Sequence, residues 1–226
     1  MSIPRLGPVD TARAAWNDEM YGAHPTPYAS GIARWIELAR VREVARLAAI
    51  TAADAVLEVG CESGTLLASL PPARRLVGAD ISLRALGDAR ARFAALGRPV
   101  ELYQVDAERG LPFERGEFDV IVCSEMLEHV RDPGAVSAHI RAICAADTRV
   151  VLSVPIEAPK VRAKRILDRL GLLRLLAPGV EPGQSEWHEH AFSPRMLDDL
   201  VRGSFRTVAR RRVWAAHYVL ALRTPA

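Results

Sequence analysis

Aromatic residues, lysine and cysteine are all scarce in this chain. Only 6% of its 226 residues are aromatic, which leaves few rings for nucleic-acid bases to stack on. Lys160 and Lys164 are the only lysines, and 30 basic against 27 acidic residues give a formal net charge of +3. That balance, with no RNA-binding module in the sequence, makes nucleic acid an unfavoured partner. Cys61, Cys123 and Cys144 are odd in number and fit neither a metal nor a disulfide spacing, so reduced thiols in the cytoplasm are expected. No apolar run is long enough to cross a bilayer, and Pro4, Pro8 and Asp10 argue against a signal peptide. Internal repeats are missing as well. Half of the chain is hydrophobic and a quarter charged, enough for one substantial core, and a single domain over residues 1–226 is expected.

What the chain does have is concentrated in residues 55–69, AVLEVGCESGTLLAS. Ala55, Val56, Leu57 and Val59 read as a buried strand carrying one acid, Glu58, and Gly60 lets the backbone turn with no Cβ in the way of a ligand. Gly64 opens a helix just beyond the strand's carboxyl end, where open α/β sheets bind nucleotide-like ligands. The run Gly60-Cys61-Glu62-Ser63-Gly64 is not G-x-G-x-x-G, so the nicotinamide and flavin readings lose their pyrophosphate fingerprint. LVGADIS then ends a second apolar run at Asp80, about 20 residues past the turn, where a carboxylate can grip both hydroxyls of a ribose. VELYQVDAERGLPF supplies a third strand ending at Asp106, and EFDVIVCSEMLEHV a fourth.

These four motifs, in this order over roughly residues 52–155, resemble those of class I S-adenosylmethionine-dependent methyltransferases, closest to the ubiquinone-biosynthesis O-methyltransferases. The resemblance implies a Rossmann-like α/β fold: a mostly parallel seven-stranded sheet with helices on both faces and an antiparallel final strand. It also implies S-adenosyl-L-methionine as cofactor, held by Glu58, Gly60, Cys61, Gly64, Asp80, Ile81, Asp106, Ala107 and Ser124. On that pattern Asp106 meets the adenine amino group. One position departs from it, since Glu62 stands where the middle glycine usually sits. Its carboxylate would either clash with the methionine carboxylate or pair with the methionine amino group.

Strands and helices alternate along the chain, the signature of a parallel sheet. The spacing predicts strands at 55–59, 75–79, 100–105, 117–123 and 149–154, with helices at 64–70, 82–96 and 132–145. Helices at 11–20 and 31–49 form an N-terminal cap over residues 1–50, the second with a buried stripe from Ile32, Trp35, Ile36, Leu38, Val41, Val44, Ala45 and Leu47. The cofactor-binding core spans 51–155, an acceptor-side insertion or lid 156–193, and a closing helix and strand pair 194–226. Within the insertion, KVRAKRILDRLGLLRLL at 160–176 combines six basic residues with leucines at near-helical spacing. It reads as an amphipathic lid, a membrane-surface helix or a basic face for phosphate or RNA.

In SEMLEHV, Glu125, Glu128 and His129 fall at i, i+3 and i+4, on one face of a helical turn. His188 and His190 fall at i and i+2, on one side of an extended segment. This combination resembles the E-x-x-E-H…H-x-F arrangement of the metal-dependent RNA 3′-terminal 2′-O-methyltransferases. That likeness implies Mg²⁺ or Mn²⁺ held by Glu125, Glu128, His129 and His190, with His188 as base and His129 at the reacting centre. The competing reading is that the Glu128-His129 pair orders the helix or lines the acceptor pocket. His24, His139 and His217 are read as ordinary structural residues.

The expected activity is methyl transfer from S-adenosylmethionine to a hydroxyl, a vicinal diol on a sugar or another small molecule, by a monomer or homodimer. Methylation of an RNA 3′-terminal ribose, metal-independent N-methylation and a non-catalytic cofactor-binding subunit are the alternatives.

Overall fold

The computed structural model describes residues 3–23, 31–156 and 188–225, with 166, 168, 169 and 171 between them. Helices α1 (Thr11–Ala23) and α2 (Gly31–Ala48) precede β1 (Ala55–Val59), α3 (Thr65–Ser69), β2 (Arg75–Asp80), α4 (Leu83–Ala95) and β3 (Glu101–Gln104). Then follow β4 (Val120–Ser124), a 3₁₀ turn at Leu127–His129, α5 (Pro133–Ile143), β5 (Arg149–Pro155), α6 (Pro194–Val201), β6 (Arg206–Val213) and β7 (His217–Arg223). Apart from 166, 168, 169 and 171, the segment 160–176 that carries the lid, membrane and phosphate readings lies outside the described residues. Among those residues, no helix is long and apolar enough to cross a membrane.

The strands form one seven-stranded sheet in the order β3-β2-β1-β4-β5-β7-β6. β1 to β5 pair in parallel, and β7 runs antiparallel to both of its neighbours, as expected for this fold. β1 and β4 are buried at every position, which their near-continuous apolar sequences require of strands covered on both faces. Successive side chains go to opposite faces. Leu57, Ile121 and Leu152 pack with Val136 and Ile140 of α5 and Leu197 of α6. Val56, Val120 and Val151 pack with Val41 and Val44 of α2, Leu67 of α3 and Phe93 of α4.

Local signals start the helices. Ser82, Asp132 and Ser193 each accept a hydrogen bond from the backbone N–H three residues on, and Pro133 and Pro194 follow two of these caps. The outer edge of β3 is covered by the N-terminal segment, where Gln104 N–H donates to Pro4 O at 2.9 Å and Leu6 N–H donates to Gln104 O at 3.0 Å.

Helix α2 departs from the expected stripe. Trp35 is 65% exposed, whereas Glu37 and Arg40 are buried with Val41, Val44 and Ala48. The spacing is still helical, but its N-terminal half turns a charged pair inward, toward the carboxyl ends of the strands.

Candidate active site

The carboxyl ends of β1, β2 and β4 open into a cavity of about 380 Å³, within the size range of small-molecule sites. Every expected cofactor residue except Gly64 lines it, and α1 and α2 close it with Arg13, Asn17, Tyr21, Glu37 and Arg40. Those five carried no motif and escaped sequence reading, although an acid and an arginine three residues apart inside an apolar helix are a signal in themselves.

The loop after β1 is anchored by its backbone. Gly60 N–H donates to Ala79 O at 2.8 Å, Cys61 N–H to the same oxygen at 3.1 Å, and Gly64 N–H to Cys61 O at 2.7 Å. Gly60 has φ +75°, and a Cβ there would meet Met126 Cγ at 2.4 Å, so glycine is required twice over. Gly64, at φ +68°, caps α3 from behind the cleft wall. Glu62 adopts φ 48°, a left-handed conformation that explains the glycine usual at this place in the motif.

Asp80 accepts hydrogen bonds from Glu62 N–H and Ser82 N–H, both at 2.8 Å. Two bonds leave a carboxylate further lone pairs for a ribose diol. Burial pushes its pKa up, against the pull of those amides. Asp106 Oδ2 accepts Asp10 N–H at 3.1 Å and Oδ1 accepts Glu108 N–H at 3.2 Å, which ties the start of α1 to the far end of the cleft. Ile81 O accepts Gln104 Nε2–H at 3.0 Å, and Ala107 O lies 2.8 Å from His139 Nδ1, so His139 keeps the structural role expected of it. The Cys61 thiol is pushed well up by burial, and the neighbouring acids add to this, so it is no nucleophile.

Glu58 is 2% exposed, and its Oε2 has no hydrogen-bond partner among the described residues. Burial pushes its carboxyl well above the ordinary range, only partly offset by Arg40. An orphan acceptor at the wall of a cleft calls for a donor from a ligand.

At the acceptor side the expected four-ligand set does not assemble. Glu125 has φ 54° and only Leu127–His129 forms a short 3₁₀ turn, so the i, i+3, i+4 rule has no continuous helix to act on. Its Oε1 accepts Ser153 Oγ–H at 3.0 Å and its Oε2 faces His217 Nδ1 at 2.9 Å. The segment 188–190 is not extended either. Glu189 N–H and His190 N–H both donate to Glu128 O, at 2.8 and 3.2 Å, and this bend separates the two histidines. His190 Nε2 faces Arg131 O at 3.2 Å, outside the cluster. His188 instead packs edge-on against His129, ring centroids 4.8 Å apart. Glu128, His129 and His188 therefore converge, each offering one ligand atom within 4.8 Å of the others, and all three line the cleft.

His217, read from sequence as ordinary, is the center of a buried polar ring. It is 1% exposed, with Glu125 Oε2 at 2.9 Å from one ring nitrogen and Glu37 Oε1 at 3.1 Å from the other. Arg40 Nε donates to Glu37 Oε2 at 2.9 Å and its Nη1 to Ser124 Oγ, while Ser124 and Ser153 hydroxyls lie 2.6 Å apart. The ring closes through Glu125. Ser124, expected at the cofactor, is thus bound into this ring while still lining the cleft. Burial alone would raise the pKa of Glu37, but the hydrogen bond to His217 and the Arg40 charge outweigh it and hold the carboxyl below its ordinary value.

Comparison with known proteins agrees with this geometry. A family model described as a methyltransferase domain matches residues 32–201. A ubiquinone biosynthesis O-methyltransferase of Aromatoleum aromaticum is 34% identical over 125 residues, 55% of this chain and 53% of that protein. One of Bordetella avium is 30% identical over 159 residues, 70% of this chain and 64% of that protein. The chain thus spans about half the length of the first relative and 64% of the second. In fold, it is similar to the N-methyltransferase NodS of Bradyrhizobium japonicum WM9 in complex with S-adenosyl-L-homocysteine. The TM-score is 0.67 at 18% identity, over 95% of this chain and 100% of that one. The acid at the end of β2, the Cβ-free turn after β1 and the orphan acceptor of Glu58 have the chemistry to hold a nucleoside-bearing cofactor. On family and architecture together, the chain belongs to the methyltransferase-domain family and has the class I methyltransferase fold.

Proposed function

We propose that this methyltransferase acts on oxygen, on one of two adjacent hydroxyls of a small aromatic or sugar-like acceptor. The observation that carries the reading is the convergence of Glu128, His129 and His188 at the cleft. The names of the curated relatives, O-methyltransferases of ubiquinone biosynthesis, support an oxygen acceptor, and favour an aromatic ring over a sugar. Three free and buried thiols suit a reducing, cytoplasmic setting.

The donor supplies a methyl group already activated on a sulfonium. What is left to the protein is to place an acceptor oxygen in line and to remove its proton. His188 takes that proton, and the buried carboxylate of Glu128 stabilises the imidazolium that results, beside the ring of His129. A positioned base of this kind contributes on the order of 10²–10⁴ in rate. Where Glu128, His129 and His188 held a divalent cation instead, the ion would lower the pKa of a coordinated hydroxyl and His188 would be a ligand rather than the base. One carboxylate with two imidazoles suits Mn²⁺ better than Mg²⁺, which prefers oxygen ligands.

The test is formation of S-adenosylhomocysteine from S-adenosylmethionine with catechols, sugar diols, primary amines and an RNA 3′ end as acceptors. Turnover is expected with the diols, reduced about 10²-fold or more in His188→Ala. EDTA is expected to suppress it, and Mn²⁺ to restore it. Full activity in chelator would assign the three residues to base catalysis without an ion, and turnover confined to amines would refute the oxygen acceptor.

A further inference from the structure

We infer that Glu62 is a ligand-binding residue, recognising the ammonium group at the amino-acid end of the methyl donor together with Glu58. The inference rests on S-adenosylmethionine being the donor.

The backbone makes the first part of the case. Glu62 sits at φ 48°, a conformation that glycine adopts freely and other residues only at a cost. Its backbone contribution, the N–H donated to Asp80 Oδ2 at 2.8 Å, would be made equally well by glycine. The loop geometry therefore gains nothing from a side chain at this position. A non-glycine residue held in such a conformation beside a cleft points to a use for its side chain.

The side chain lies at the cleft wall with Glu58 and Asp80. Its contact within the protein is weak, a hydrogen bond from Ser63 Oγ to Oε1 at 3.3 Å. Burial and the charge of Asp80 push its carboxyl up, so the pocket without ligand disfavours the very charge it carries. Glu58 supplies the independent observation: at 2% exposure its Oε2 lacks any hydrogen-bond partner among the described residues. Two carboxylates at one cleft wall, Glu58 on β1 with its orphan oxygen and Glu62 on the loop that follows, are matched by a group that brings positive charge and several N–H donors. An α-ammonium offers three. Arg40 offsets these acids only in part, so a neutral hydroxyl would bring no further positive charge, and an anion would add to the negative one.

The test compares binding of S-adenosylhomocysteine and of 5′-deoxy-5′-methylthioadenosine, which keeps the adenosyl thioether but has no amino-acid end. Calorimetry is run on the unaltered chain and on Glu62→Gln and Glu62→Gly. The glycine variant relieves the left-handed backbone and is expected to fold at least as stably. Affinity for S-adenosylhomocysteine is expected to fall about tenfold or more in both variants, as for loss of a charge-assisted hydrogen bond, while methylthioadenosine binds within twofold of the unaltered chain. Unchanged S-adenosylhomocysteine binding, or an equal loss for both ligands, would overturn the inference. If the unaltered chain failed to bind S-adenosylhomocysteine at all, the cofactor assignment itself would fall.

Discussion

Replacing His217 with leucine should be among the most destabilising single changes in the sheet. The variant leaves the carboxylates of Glu37 and Glu125, 11% and 20% exposed, facing each other with no ring between them. Removing one partner of a fully buried ion pair costs about 3–5 kcal/mol, and the residual exposure of the two acids brings the expected cost to about 2–4 kcal/mol. For a chain of this length that is a fall in Tm of roughly 5–15 °C.

The pH dependence gives the sharper test. In the native protein Glu37 is held below its ordinary 4.5 by His217 and Arg40 against the cost of burial. A carboxyl that ionises more readily folded than unfolded stabilises the fold above its unfolded pKa, and that stability is lost as pH falls through the lowered folded value. Without His217, burial has only Arg40 to oppose it and the carboxyl's pKa moves upward, so the variant loses the stabilisation that the native protein gains as the carboxyl ionises. The difference between the two proteins is therefore largest near neutrality and shrinks on acidification. Urea unfolding at pH 7.5 and at pH 4, below the unfolded carboxyl's pKa, followed by tryptophan fluorescence, measures it. Combining His217→Leu with Glu37→Gln should cost less than the sum of the single changes, because one of the opposed charges is gone. A penalty under about 1 kcal/mol at neutral pH, or one that does not vary with pH, would refute the ring as an energetic unit.

Gly60→Ala should weaken S-adenosylhomocysteine binding at least tenfold and lower Tm by several degrees, since φ +75° and a Cβ 2.4 Å from Met126 Cγ both oppose it; calorimetry and thermal melts report the two effects. Asp80→Asn should cost about tenfold in affinity for S-adenosylhomocysteine and for adenosine alike, because the contact expected of Asp80 is to the ribose. A selective loss for only one of them would argue against that contact. Because burial raises the pKa of Asp80, affinity should decline as pH falls from neutrality toward the ordinary carboxylate range, and a flat profile over that range would contradict a charged ribose contact.

Much of the fold was legible because its signals are local. Buried runs such as AVLEV and VIVCS, capping residues before the helices, and glycine where a Cβ cannot fit are each decided by a few neighbouring residues. The residues that line the cleft at the strand ends follow from the same patterns. The acceptor side was harder to read because side-chain periodicity presupposes a regular backbone. Glu125 breaks the helix at φ 54°, and a bend at Glu189 turns His188 toward His129 and His190 away from it. Nor could one strand's sequence reveal that His217, at the start of β7, meets a residue 180 positions earlier on α2. Contacts at that separation are set by topology.

That contact gives the charged stripe of α2 a physical reason. Apolar packing alone fixes a helix's rotation only to within the width of its buried stripe, whereas Glu37 and Arg40 are satisfied at one setting, where His217, Ser124 and Glu125 meet them. At that setting Trp35 faces solvent and Arg40 faces the cleft. The antiparallel strand β7 thereby does more than finish the sheet. Through its first residue it fixes both the helix that closes the cleft and the left-handed Glu125 at the cleft wall. A change at His217 should therefore reach the α2 wall and the Glu125 wall of the cleft together.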